Sequence, residues 1–195
     1  TVGPDRVREM VKKALAMGCD RAFHVKDDAG LRRDPFEIAS LIAAFARDKG
    51  FDVIFTGMQS QDRGSAQVGV LLAELLGVPA VTTVVDFAFA EGAITAKREL
   101  EGGVKSIVRM KPPALVTCQL GLNTPRYPTM PNIMKARKKE FITVDAADLV
   151  TVDARLTTEG MYFPEKKGGL VLEGDAGKLA DRLLDILREK TMVLR

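Results

Sequence analysis

The sequence predicts an α/β fold: an open, mostly parallel sheet with crossover helices, an antiparallel hairpin addition, and a C-terminal arm that ends in a helix. Three observations predict it. Over the first 80 residues, helical periodicity alternates with short apolar runs, as parallel strands joined by crossover helices require. Between residues 81 and 110, three extended runs are punctuated by Glu91-Gly92 and by Glu101-Gly102-Gly103, the pattern of an antiparallel meander. Beyond residue 145 the chain turns polar and weakly periodic before a last amphipathic stretch. The expected organisation is an α/β domain over 1–144, apparently lacking its N-terminal part, and an arm with a helix over 145–195.

Taken in order, residues 5–17 place Val7, Met10, Val11, Ala14 and Leu15 on one helical face, and Gly18 ends that helix. Residues 21–25 read as a strand. Asp34, Pro35 and Glu37 form a capping box with proline at the first helical position. The helix they start turns Ile38, Leu41, Ile42 and Phe45 inward. Residues 53–56 are a buried strand of β-branched and aromatic type. Val68, Leu71, Leu72, Leu75 and Leu76 recur at helical spacing until Gly77 and Pro79 stop them. Residues 81–89, 93–100 and 104–110 are the meander, and 114–117 a further apolar strand. Pro125, Pro128 and Pro131 forbid a regular element before Asn132, and a short helical turn can follow from Pro131 to Lys138. Residues 141–144 are a strand. Residues 175–190 are a helix with Leu179, Leu183, Leu184 and Leu187 together; it packs on a partner or folds back on its own domain.

Composition narrows the function. The chain has 195 residues, 46% of them hydrophobic, enough for a real core. A formal charge of +3 is too small to argue for nucleic acid. Cys19 and Cys118 lie far apart, which suits a reducing compartment and argues against a disulfide scaffold or zinc site. No apolar run is long enough for direct membrane insertion, and no secretory signal pattern is present.

The stretch with most chemical promise is the polar turn between the strand at 53–56 and the helix after it. It comprises Gly57, Met58, Gln59, Ser60, Gln61, Asp62, Arg63, Gly64, Ser65, Ala66 and Gln67, and it leads into Val68. Ser65 is a candidate N-cap. Ligands of open α/β sheets bind beyond the carboxyl ends of strands, and a helix start suits phosphate. The motif is neither a P-loop nor GxGxxG, so a plain connection is the competing reading. No catalytic constellation stands beside it. His24 is the single histidine and sits in an apolar strand as a core residue. The sequence assigns no catalytic residue and no metal ligand. Any redox chemistry must come from a cofactor.

The second feature is a basic run, Lys135, Arg137, Lys138 and Lys139, behind a proline-stiffened loop carrying Tyr127, Met130, Ile133 and Met134. A solvated turn is the plain reading. Apolar anchors on a preorganised loop flanked by charge suit protein docking. Nucleic acid is disfavoured by the scarcity of nearby aromatics.

LNTPRYPTMPNIMKARKK closely resembles the signature of the electron transfer flavoprotein beta subunit. GMQSQDRGSAQVG resembles that family's AMP-binding turn. KRELEGGV with MKPPALVT resembles its hairpin and following strand, ALAMGCDRAFHV an earlier helix and strand, and PEKKGGLVLEG with the last helix its C-terminal arm. The resemblance covers nearly the whole chain in order. It begins part-way into the family's domain, after a first strand and residues near AMP and flavin. It implies an adenine nucleotide alpha hydrolase-like fold and a heterodimer with an alpha subunit. It also implies one FAD shared with that subunit and a structural AMP. Electrons would be taken from flavin dehydrogenases such as acyl-CoA dehydrogenases and passed to the ETF-quinone oxidoreductase. The implied location is the cytoplasm in bacteria and the mitochondrial matrix in eukaryotes. It further implies that residues 57–68 line AMP with Val2 as a weaker match. Met130 stands where a leucine anchors the dehydrogenase, and Lys135 and Lys138 match lysines methylated in some members. Two other readings remain: an electron-bifurcating form with a second FAD in place of AMP, and an adenine-nucleotide-binding hydrolase or sensor module.

Overall fold

The computed structural model describes residues 1–30, 32–165 and 168–191. Two lysines of the PEKKGG stretch and the last four residues lie outside these. The described chain forms two compact units, 1–158 and 159–195. The first therefore carries residues 145–158 in addition to the expected 1–144.

Within the first unit the elements run β1 (Val2–Gly3), α1 (Arg8–Met17), β2 (Ala22–Lys26), α2 (Pro35–Ala46), β3 (Val53–Gly57), α3 (Val68–Leu76), β4 (Ala80–Ala90), β5 (Ala93–Glu99), β6 (Lys105–Met110), β7 (Ala114–Cys118), α4 (Met130–Ala136) and β8 (Phe141–Asp145). The class is the expected one, mixed α/β with mostly parallel pairing. The strands form two ladders rather than one continuous sheet. One has the order β1-β2-β8, parallel throughout; the other has the order β3-β7-β4-β5-β6. In the second, β3 and β4 flank β7 in parallel, and β4, β5 and β6 form the antiparallel meander.

Helix α2 belongs to both ladders. Its Leu41 packs with Val25 and Ala146, and its Ala39 and Ala43 pack with Leu72, Ala73 and Leu115. That two-sided burial explains why the helix is apolar around most of its girth. Its start is the predicted capping box: Glu37 N donates to Asp34 Oδ1 at 2.8 Å, and Asp34 N donates to Glu37 Oε2 at 2.9 Å.

Strand β4 serves two partners in turn. It pairs with β7 from Ala80 to Val84 and with β5 from Val84 onward, and the register shifts on either side of Val84. Thr83 adopts φ +56 at that shift, unusual for a β-branched residue. Its N–H donates to Thr117 Oγ1 at 3.2 Å and its hydroxyl to the Glu99 carbonyl at 2.9 Å. The bulge re-aims the strand from one neighbour to the other.

Three local expectations shift. The helix expected from residue 5 opens with a 3-10 turn, Asp5–Val7. Ser65 is not the N-cap of α3; Gln67 is, with no side-chain hydrogen bond. Helix α4 runs from Met130 to Ala136, starting one residue before the expected Pro131; Pro131 sits in its first turn, where its missing N–H costs nothing, and Thr129 Oγ1 accepts from Asn132 N at 3.4 Å.

The second unit contains α5 (Ala176–Lys190), capped by Asp175, whose Oδ2 accepts from Gly177 N at 3.2 Å. No residue of α5 is buried.

Candidate functional site

Gly57 and Cys118 are register partners at the carboxyl ends of the adjacent parallel strands β3 and β7. The polar turn leaves from one, and the proline-braced loop leaves from the other. Both sequence features therefore start from one end of one ladder, held together by the Met58 N–H donating to the Cys118 carbonyl at 3.1 Å.

The turn is built from its own polar groups. Gly64 N donates to the Ser60 carbonyl at 3.0 Å, and Arg63 N donates to Asp62 Oδ1 at 2.8 Å and Ser60 Oγ at 3.3 Å. The hydrogen bond from Ser60, then the Arg63 N–H, hold the Asp62 carboxyl below its ordinary range. That charge is thus directed into the turn. Gly64 and Ala66 take φ +60 and +53, so the turn reverses sharply before α3.

Helix α3 comes close to both strand ends because residue 69 is glycine. A Cβ there would lie 2.5 Å from Thr56 Oγ1 and 2.9 Å from Thr117 Cγ2. With no side chain capping α3, its first-turn N–H groups stay available to a ligand. Thr56 Oγ1 is buried with no hydrogen-bond partner at the same place. The uncapped start of α3, brought against the strand ends by Gly69, fits an anionic group such as an adenylate phosphate. Thr56, Gly69 and Thr117 are not in the sequence-derived set. The small residue facing two strand-end threonines was the available signal, and only the three-dimensional approach gives it meaning.

Val2 packs against the core cluster of Val25, Leu41 and Ala146, away from the turn's own hydrogen bonds, and only its neighbour is linked toward the turn. Gly3, next to it on β1, accepts from Asp27 N at 3.0 Å and from His24 Nε2–H at 2.8 Å. Asp27 is ion-paired with Arg33, which also bonds Glu37 at 2.9 Å. The Arg33 carbonyl accepts from Arg63 Nη1 at 2.9 Å. Gly30 permits the same convergence, since a Cβ there would lie 3.2 Å from Gly3 Cα. The carboxyl ends of β1, β2 and β3 are thereby tied together. His24 is a buried core residue, 1% exposed, with Nδ1 unpartnered.

Asp34, beside Arg33, holds the start of the arm. Its Oδ2 accepts from Arg155 N at 2.5 Å and Leu156 N at 2.9 Å, and the Arg155 guanidinium lies 5.0 Å from the Phe36 ring centre. Burial pushes the Asp34 carboxyl up, but the N–H groups of Glu37, Arg155, Leu156 and Phe36 outweigh it and leave it below its ordinary value.

The loop after β7 displays Tyr127 at 89% and Met130 at 71% exposure, with Met134 also exposed. Ile133, expected among the exposed anchors, is half-buried instead, packed with Leu15 and Ala16 of α1. Lys135, Arg137 and Lys138 are exposed. Lys139 is not a free charge: its Nζ donates to the Leu15 carbonyl at 3.0 Å and the Cys19 carbonyl at 2.5 Å. The Arg126 guanidinium lies over Gly18, where a Cβ would meet Nη2 at 3.0 Å. Both cations sit at the C-terminus of α1, the negative end of its dipole. The displayed loop is therefore pinned at each end.

Comparison with known proteins gives the family. The family profile of the electron transfer flavoprotein domain matches residues 1–149. An electron transfer flavoprotein subunit beta of Bacillus subtilis is 38% identical over 100% of this chain and 77% of its own length. The protein of the same name from Methylophilus methylotrophus is 34% identical over 97% of the chain and 75% of its length. The mouse protein is 38% identical over 95% and 74% respectively.

Proposed function

The chain belongs to the electron transfer flavoprotein family, on its beta-subunit branch, and from that premise we propose that it holds an AMP on residues 57–68 and docks redox partners through residues 127–138. The observation that carries this reading is the common origin of turn and loop at the paired strand ends Gly57 and Cys118. The AMP phosphate is held by the first-turn N–H groups of α3 and by the polar turn, and the nucleotide braces the fold rather than reacting. Arg63 and Ser60 keep the turn shaped for it.

An alpha subunit completes the assembly. The arm and α5 pack on it, which accounts for the apolar side chains they leave uncovered: Phe163 is 99% exposed and Leu183 is 50% exposed. One FAD, shared with that subunit, supplies the electron chemistry, and this chain contributes no side-chain catalyst. Flavin dehydrogenases, acyl-CoA dehydrogenases among them, deliver electrons after seating Met130 and Tyr127. Lys135, Arg137 and Lys138 steer an acidic partner into place. The electrons leave to the ETF-quinone oxidoreductase.

The test is to purify the chain with its alpha partner and count bound flavin and released nucleotide. One flavin and one AMP per heterodimer are expected. Two flavins and no AMP would favour the bifurcating form; neither flavin nor AMP would reject the reading.

A further inference from the structure

A groove of about 660 Å³ runs between α1 and α4, within the size range of small-molecule sites. Its floor is aliphatic and aromatic: Leu15, Ala16, Ile133, Ala136 and Phe141. Its walls are cationic. Arg8, Lys12, Lys13, Arg137 and Lys139 line it against a single acid, Glu9, and Lys12 takes that acid at 2.6 Å. Among the described residues no carboxylate stands at ion-pairing distance from Arg8, Lys13, Arg137 or Lys139.

We propose that this groove binds a single-chain amphipathic carboxylate, an anion with an alkyl body. The alkyl body covers Ile133 and Phe141, the half-buried part of the floor; Leu15, Ala16 and Ala136 are already buried. The carboxylate supplies a counter-ion to wall cations that have no carboxylate partner. A nucleotide base is a poor occupant, because the Arg8 guanidinium already lies 4.6 Å from the Phe141 ring centre and takes that stacking face. A neutral alkyl chain leaves those cations without a counter-ion. Lys139 is a fixed charge in the wall, since the Leu15 and Cys19 carbonyls hold its ammonium. The inference does not rest on the adenylate reading: no lining residue lies in the 57–68 turn.

The probe is dodecanoate with a diazirine at its tail, used below its micelle concentration on the purified full chain together with any subunit that co-purifies. After irradiation, labelled peptides are mapped by mass spectrometry. Label is expected on peptides spanning 8–17 and 130–141, and excess dodecanoate should suppress it. The doubly substituted Lys13→Glu, Arg137→Glu chain should lose roughly tenfold in affinity. Both side chains are exposed, so the variant should fold, and circular dichroism checks this. Three results would overturn the proposal: labelling that does not saturate, label concentrated elsewhere such as the exposed Phe89 and Ile107, or equal labelling by the matching diazirine alcohol. The wild-type mapping decides the question even if the variant fails to fold.

Discussion

Asp34 shows how much one side chain can organise. It caps α2 with one oxygen and holds Arg155 and Leu156 with the other. Replacing it with alanine removes a helix cap and strands two further N–H groups, so Asp34→Ala should cost about 3 kcal/mol in chemical denaturation. The pH dependence follows from the direction of its shift. Its carboxyl lies below the ordinary value of about 3.9 in the folded chain. Its contribution is therefore full above that value and disappears as pH falls through the lower folded value. Stability curves of parent and Asp34→Ala should converge on acidification below about pH 4. A constant gap at every pH would show that the charge is not what holds the arm.

At the scale of elements, the docking loop is fixed by its neighbours and displayed by its sequence. Thr129 caps α4, Lys139 and Arg126 engage the end of α1, and Tyr127 and Met130 are left outside. Met130→Ala should leave the melting temperature and AMP content unchanged, because the side chain is largely solvated. It should slow electron uptake from a flavin dehydrogenase roughly tenfold, the loss expected for a central apolar anchor. Stopped-flow rates equal to the parent would dismiss the loop as anchor. Most of these elements were legible from local signals. The capping box of α2, the glycine stop at Gly77 and the two meander turns all act within four residues, so the sequence displays them directly. What stayed hidden was long-range. Nothing around Thr83 announces a bulge; its partners are Thr117 and Glu99. Ile133 looked like an outward anchor because its inward neighbour, Leu15, lies far back in the chain. Gly69 closes the turn motif in the sequence, but the close packing it allows appears only once Thr56 and Thr117 stand against it. The division into two ladders depends on which strand ends up beside which, and periodicity does not record that.

Across the whole molecule, the first unit has a core of its own, while the second exposes apolar side chains along the arm and on α5. Leu183→Glu with Leu184→Glu should weaken co-purification with the alpha subunit while the first unit melts as before; undiminished association would place the contact elsewhere. None of the described helices is long and apolar enough to cross a membrane. The central claim is that the turn at the end of β3 seats an adenylate. Calorimetric titration of AMP into the nucleotide-stripped complex tests it most directly, with Arg63→Ala, whose lost guanidinium frees the turn from Arg33, run alongside. The account predicts one AMP per chain, bound about tenfold more weakly by the variant, the usual loss of one charge-assisted contact. Absence of binding, or equal affinity in parent and variant, would contradict it.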